Sequence, residues 1–86
     1  MASYRIVWKQ SALRELRALP KEVVSRLVRA AEALATNPHP PGSKKLAGSQ
    51  HTYRIRQGDY RVVYNVLTDQ ILIEVIRVGH RRDVYR

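Results

Sequence analysis

The chain has 86 residues, enough for one small domain spanning 1–86 and too few for two. An apolar fraction of 44% supports a packed core, and the absence of cysteine excludes a disulfide framework, cysteine nucleophiles and thiolate metal sites. Sixteen Lys and Arg against seven Asp and Glu leave a net charge of +9, and twelve of the sixteen are arginine, the side chain suited to bidentate phosphate recognition. A polyanion is the expected partner, with an acidic protein as the other choice. No apolar run near the amino terminus has signal-peptide length, and the best one, 71–76, is short and broken by Glu74. The expectation is a soluble cytoplasmic protein with no membrane partner.

Residues 4–8, rich in β-branched and aromatic side chains, predict a first strand. Ser11 is placed to cap the helix that follows, in which Ala12, Leu13, Leu16 and Leu19 share a stripe. Pro20 suits the first turn of a second helix, where Val24, Leu27, Val28, Ala31 and Leu34 form an amphipathic face and Arg26, Arg29 and Glu32 the solvated one. The cluster from Asn37 to Ser43, with three prolines, predicts a loop, and His39 within it has no evident role. From Thr52 the period changes to two. Strands are predicted over 52–57, 60–67 and 70–78, joined by Gly58-Asp59 as a type II′ turn and by Thr68-Asp69. The expected fold is α+β with the order β-α-α-β-β-β: an antiparallel two-helix hairpin on one face of a small, mainly antiparallel sheet.

The first turn sets a register. Gln57 pairs with Tyr60, Arg56 with Arg61, Ile55 with Val62, Arg54 with Val63 and Tyr53 with Tyr64. Tyr53, Ile55, Val62 and Tyr64 form the core face, and Arg54, Arg56 and Arg61 share the other. The same logic across Thr68-Asp69 sets Arg61 against Ile76 and Val63 against Glu74. Facing arginines about 5–6 Å apart repel by roughly 1–3 kcal/mol at surface dielectric. Either they splay into water, or an anion converts the repulsion into attraction.

The carboxyl end adds Gly79, able to support a bulge, and then His80, Arg81, Arg82, Asp83 and Tyr85. A histidine, two arginines and a tyrosine beside a basic sheet suit phosphoryl chemistry. Asp83 is expected to form a local ion pair with Arg81 or Arg82. Three scattered histidines give no metal-ligand spacing, so neither metal nor cofactor is expected.

These residues carry a resemblance. Tyr53-Arg54-Ile55-Arg56, Gly58-Asp59-Tyr60-Arg61-Val62-Val63-Tyr64 and Val78-Gly79-His80-Arg81-Arg82-Asp83-Val84-Tyr85 resemble the RelE/ParE toxin superfamily. The first helix and the segment from Asn37-Pro38 to Lys45-Leu46-Ala47-Gly48 fit the same pattern. The resemblance covers essentially the whole chain and implies a RelE-like fold. It also implies the toxin of a type II toxin–antitoxin pair with a cognate RelB-like antitoxin, operator DNA being bound through that antitoxin.

RelE-like members cut mRNA on the ribosome as endoribonucleases, whereas ParE-like members inhibit DNA gyrase without nuclease activity. A degenerate toxin kept as a binding module is a third possibility. The arginines favour the RelE branch, with ribosome and mRNA as partners. By resemblance, Arg54 and Arg56 match the basic strand pair that faces RNA, Arg61 and Arg81 the next two arginines, and Tyr85 the late tyrosine. Arg82 joins the phosphate-binding set. Two departures stand out: arginine replaces a frequent lysine in the strand pair, and the chain stops at Arg86, so the carboxyl-terminal helix of some members is expected to be absent. Arginine cannot act as a base, which leaves His80 and Tyr85 as titratable candidates for proton transfer.

Overall fold

Helical stripes in the first half of the chain and period-two alternation in the second give two layers. The computed structural model describes residues 3–84, with side chains described for 3–82. The elements are β1 (Arg5–Trp8), α1 (Gln10–Arg17), α2 (Lys21–Ala33), β2 (Lys44–Lys45), β3 (Thr52–Gln57), β4 (Tyr60–Leu67), β5 (Leu72–His80) and α3 (Arg81–Val84). The sheet has five strands in the order β1-β5-β4-β3-β2, with β1 parallel to β5 and the other pairs antiparallel. Helix α1 lies against β5 and α2 against β3.

The core lies between the helices and one sheet face. Ala12 and Leu16 of α1 and Leu27, Ala31 and Leu34 at α2 pack on Ile55, Val62, Tyr64, Val66, Ile73, Val75 and Val78. Apart from Leu13, which is half-buried outside the core cluster, both helical stripes and the inward strand positions are the ones the periodicity marks. Tyr64 is fully buried, and its hydroxyl donates to the Pro38 carbonyl at 2.7 Å, anchoring the proline loop to the sheet. Burial pushes this phenol up to about 12; a Ser43 hydrogen bond partly offsets the rise, and neighbouring Tyr53 adds to it.

Several local expectations are corrected. Ser11 does not cap α1: the N-cap is Lys9, without a side-chain hydrogen bond, and Ser11 falls inside the first turn. Pro20 is the N-cap of α2 rather than a first-turn residue, and its carbonyl accepts the Val24 N–H. A two-residue strand, β2, forms against β3 just after the predicted loop, an element the sequence reading does not include. The expected absence of a carboxyl-terminal helix is also corrected, because Arg81–Val84 make one helical turn.

The hairpin register across Gly58-Asp59 is the expected one, and Gly58 at φ 61° takes the first central position of a type II′ turn. The next connection differs. Thr68–Gln70 form a 3₁₀ turn that ends on Ile71 in the left-handed region, so Leu67 pairs with Leu72 and β5 starts at Leu72. A further slip follows: Tyr64 pairs with Val75, but Val63 pairs with Arg77, leaving Ile76 as the extra residue. The bulge thus sits at Ile76 and not at Gly79. Its cause is legible in the side chains. An unbroken ladder would set Arg77 against Val62 in the core; the extra residue puts Val78 there and turns Arg77 to the other face. Arg61 consequently faces Gly79 instead of Ile76, and Val63 faces Arg77 instead of Glu74.

Candidate nucleic-acid interface

Three rows cross the sheet face that the two long helices leave uncovered: Arg56–Arg61–Gly79, Arg54–Val63–Arg77 and Thr52–Asn65–Glu74. The third is a polar ladder, in which the Thr52 hydroxyl donates to Asn65 Oδ1 at 2.6 Å and Asn65 Nδ2 donates to Glu74 at 3.1 Å. The first two concentrate charge. Arg54 and Arg61 are only 7% and 6% exposed, and between them Val63 is buried outside the main core; Arg56 is exposed. Splaying into water is therefore the answer for Arg56 alone. The Arg54 side chain makes no hydrogen bond or ion pair among the described residues, and Arg61 Nε and Nη1 lie buried.

Gly79 faces Arg61 across the β4–β5 ladder and brings no side chain of its own to that row. Placing cations on central, paired strands fixes their geometry before any ligand arrives, the arrangement that electrostatic recognition of a phosphate requires.

The carboxyl-terminal candidates divide. Arg81 and Arg82 are exposed on α3, which the Arg81 N–H joins to the hairpin through the Asp59 carbonyl at 2.9 Å. His80 pairs with Tyr60, on the helix-facing side of the sheet, and the two rings meet edge-on at 5.7 Å. Its Nδ1 accepts the Arg82 N–H at 3.3 Å. The fold does not bring His80 to the arginine face. Tyr85 lies outside the described residues, as does the Asp83 side chain.

Sequence reasoning missed Glu15. Strand β1 accompanies β5 only as far as Trp8 opposite Val75, leaving the rest of that edge open. Glu15 of α1 fills the gap: Oε1 accepts the Val78 N–H at 3.1 Å, and Oε2 meets Arg77 Nη2 at 3.4 Å. One carboxylate thus ties α1 to the strand that delivers Gly79 and Arg81. The available signal was a lone acid beside the apolar stripe of a helix whose other charges are arginines. His39, left without a role, stacks edge-on against Tyr53 at 4.7 Å.

Helices on one side of the sheet and two buried arginines on the other describe a small α+β protein with cations on its central strands. Residues 6–85 match the family described as the ParE toxin of the type II toxin–antitoxin system parDE. The chain belongs to that toxin family, and its relatives place it in the RelE-like branch of the RelE/ParE superfamily. It is 35% identical to a RelE-like toxin protein of Escherichia coli over 95% of this chain and 90% of that one. It is 31% identical to toxin RelG of Mycobacterium tuberculosis over 96% and 97%. Among solved structures, it superposes on the RelBE2 toxin–antitoxin complex of Mycobacterium tuberculosis with a TM-score of 0.83, at 28% identity over 96% of this chain and 97% of that chain. For the archaeal RelE–RelB complex of Pyrococcus horikoshii the TM-score is 0.82, at 29% identity over 94% and 98%.

Proposed function

We infer that this type II toxin is an endoribonuclease that cuts mRNA on the ribosome and is neutralised by a RelB-like antitoxin. The observation that carries the reading is the pair of buried arginines, Arg54 and Arg61, on adjacent strands of the uncovered face. Arg61, Arg56 and Arg54 bind the scissile phosphate and its neighbour, and Arg81 and Arg82 approach from α3. Cleavage by the 2′-hydroxyl needs a base, charge neutralisation on the phosphorane and an acid for the leaving 5′-oxygen. The arginines supply the neutralisation. They cannot take the proton, and His80 faces away with Nδ1 occupied. Tyr85 is the group to which we assign proton transfer, with the ribosome aligning the RNA. Relatives solved with RelB support the antitoxin, and the antitoxin carries any operator contact.

The test is translation of a defined message in vitro with the protein added, followed by primer extension. Codon-phased cuts on ribosome-bound message are expected. Tyr85→Phe should reduce cutting more than His80→Gln. Intact message together with blocked gyrase supercoiling would instead establish the gyrase-inhibitor reading that the matched ParE family favours.

A further inference from the structure

Past the bulge at Ile76, β5 presents two polar groups at its edge, the Val78 N–H and the Arg77 guanidinium. The direction of the N–H follows from the hairpin. Its two-residue loop makes Gln57–Tyr60 a hydrogen-bonded pair, and the direction alternates along β4 from there. Gly79 therefore exchanges backbone hydrogen bonds with Arg61, and the Val78 N–H turns away from β4, on a residue only 2% exposed. Strand β1 does not reach it. Its pairing with β5 stops at Trp8 opposite Val75, where the Lys9 N–H donates to the Val75 carbonyl at 2.9 Å.

Glu15 meets both groups with one carboxylate, Oε1 accepting the Val78 N–H at 3.1 Å and Oε2 lying 3.4 Å from Arg77 Nη2. It acts from a fixed place, because Ala12 and Leu16 on the same helix are buried in the core. The segment it braces is the one whose register decides the uncovered face. An unbroken ladder would set Val78 opposite Arg61 and Arg77 opposite Val62; the bulged one sets Gly79 opposite Arg61. Two residues further on, the Arg81 N–H reaches the Asp59 carbonyl at 2.9 Å.

We propose that Glu15 is a positioning residue for message cutting. By holding Val78 and Arg77 it keeps the end of β5 in the bulged register, with Gly79 against Arg61 and Arg81 beside the hairpin. The proposal rests on the nuclease reading above, and it gives α1 a part in the site although that helix lies on the opposite side of the sheet.

The test compares Glu15→Met with Glu15→Gln. Both replacements have similar length and suit a helix, but only glutamine keeps an oxygen for the Val78 N–H. Cutting is measured on programmed ribosomes per folded molecule, the folded fraction being read by circular dichroism. Glu15→Met should lower kcat about tenfold or more with KM within about threefold, because Arg54 and Arg56 lie on β3, two strands from β5. Glu15→Gln should keep kcat within about threefold of the native value. In isotope-labelled protein, the Gly79 amide should exchange about tenfold faster in Glu15→Met than in Glu15→Gln. The Val66 amide, bonded to the His51 carbonyl, should exchange equally in both. Folded Glu15→Met that cuts at the native rate overturns the proposal, as does a variant too unstable to fold at the assay temperature. So does Glu15→Gln that cuts no faster than Glu15→Met. A native protein that leaves message intact refutes the nuclease reading instead; the Gly79 exchange contrast then decides whether Glu15 sets Gly79 against Arg61, and equal rates in the two variants overturn that as well.

Discussion

The two faces of this sheet alternate residue by residue, yet their chemistry is opposite. On β4, Val62 and Tyr64 point to the helices and are fully buried among aliphatic side chains, while Arg61 and Val63 point away and are buried without a long helix over them. The even positions satisfy the hydrophobic requirement of a small domain. The odd positions hold like charges close together, an arrangement that costs stability and that such a domain has little margin to absorb. On the proposed reading, stability and function are interleaved at a period of two. Substitutions on neighbouring residues should fail in different ways.

The strongest way to break this comparison is to exchange a residue on each face. Ile73→Ala, on the core side of β5, should cost about 2–5 kcal/mol and be read as a large fall in Tm. Arg61→Ala should lower cutting by about 10²–10³-fold with Tm unchanged or raised, since it removes one of two facing cations. A loss of activity tied to an equally large loss of stability would make Arg61 a structural residue and erase the distinction.

Tyr64 sharpens the core side. Its phenol ionises near 10 when unfolded and near 12 in the fold, so the neutral form is the one the fold holds. The contribution is fully present below pH 10 and is lost as pH rises from 10 toward 12, on the order of 2 kcal/mol in all. Denaturant titrations across that range should show the decline. Tyr64→Phe should shrink it, at a cost near neutral pH of about 1 kcal/mol for the lost hydrogen bond to Pro38.

A smaller effect is expected at Ile71, which ends the 3₁₀ turn at φ 50° and ψ 52° with its side chain exposed. A β-branched residue is strained in that region, and Ile71→Gly should raise stability by about 0.5–1 kcal/mol, measured as Tm. Activity should be unaffected, because the turn lies at the far end of β5 from Gly79.

Much of this was legible in the sequence because it depends on local rules. The Gly58-Asp59 turn sets the β3–β4 register, and period-two alternation then assigns Arg54, Arg56 and Arg61 to one face. The β4–β5 register escaped because it depends on packing. Thr68-Asp69 looks like a tight turn, but the chain uses two more residues there, and the bulge at Ile76 exists to keep Arg77 away from Val62. That slip decides the site: it sets Gly79 opposite Arg61 and carries His80 to the helix side. Glu15 was invisible for a related reason, since its value lies in an open strand edge 63 residues away that no periodicity reports.

The central claim is that the uncovered face is an anion site, and its salt dependence tests that claim most directly. Affinity for a short single-stranded RNA, measured across a salt series, should fall with a log–log slope of roughly −3 if Arg54, Arg56, Arg61 and Arg81 each neutralise one phosphate at about 0.7 per contact. Arg61→Ala should reduce the slope by about 0.7. A flat response, or a slope that Arg61→Ala leaves unchanged, would contradict the account.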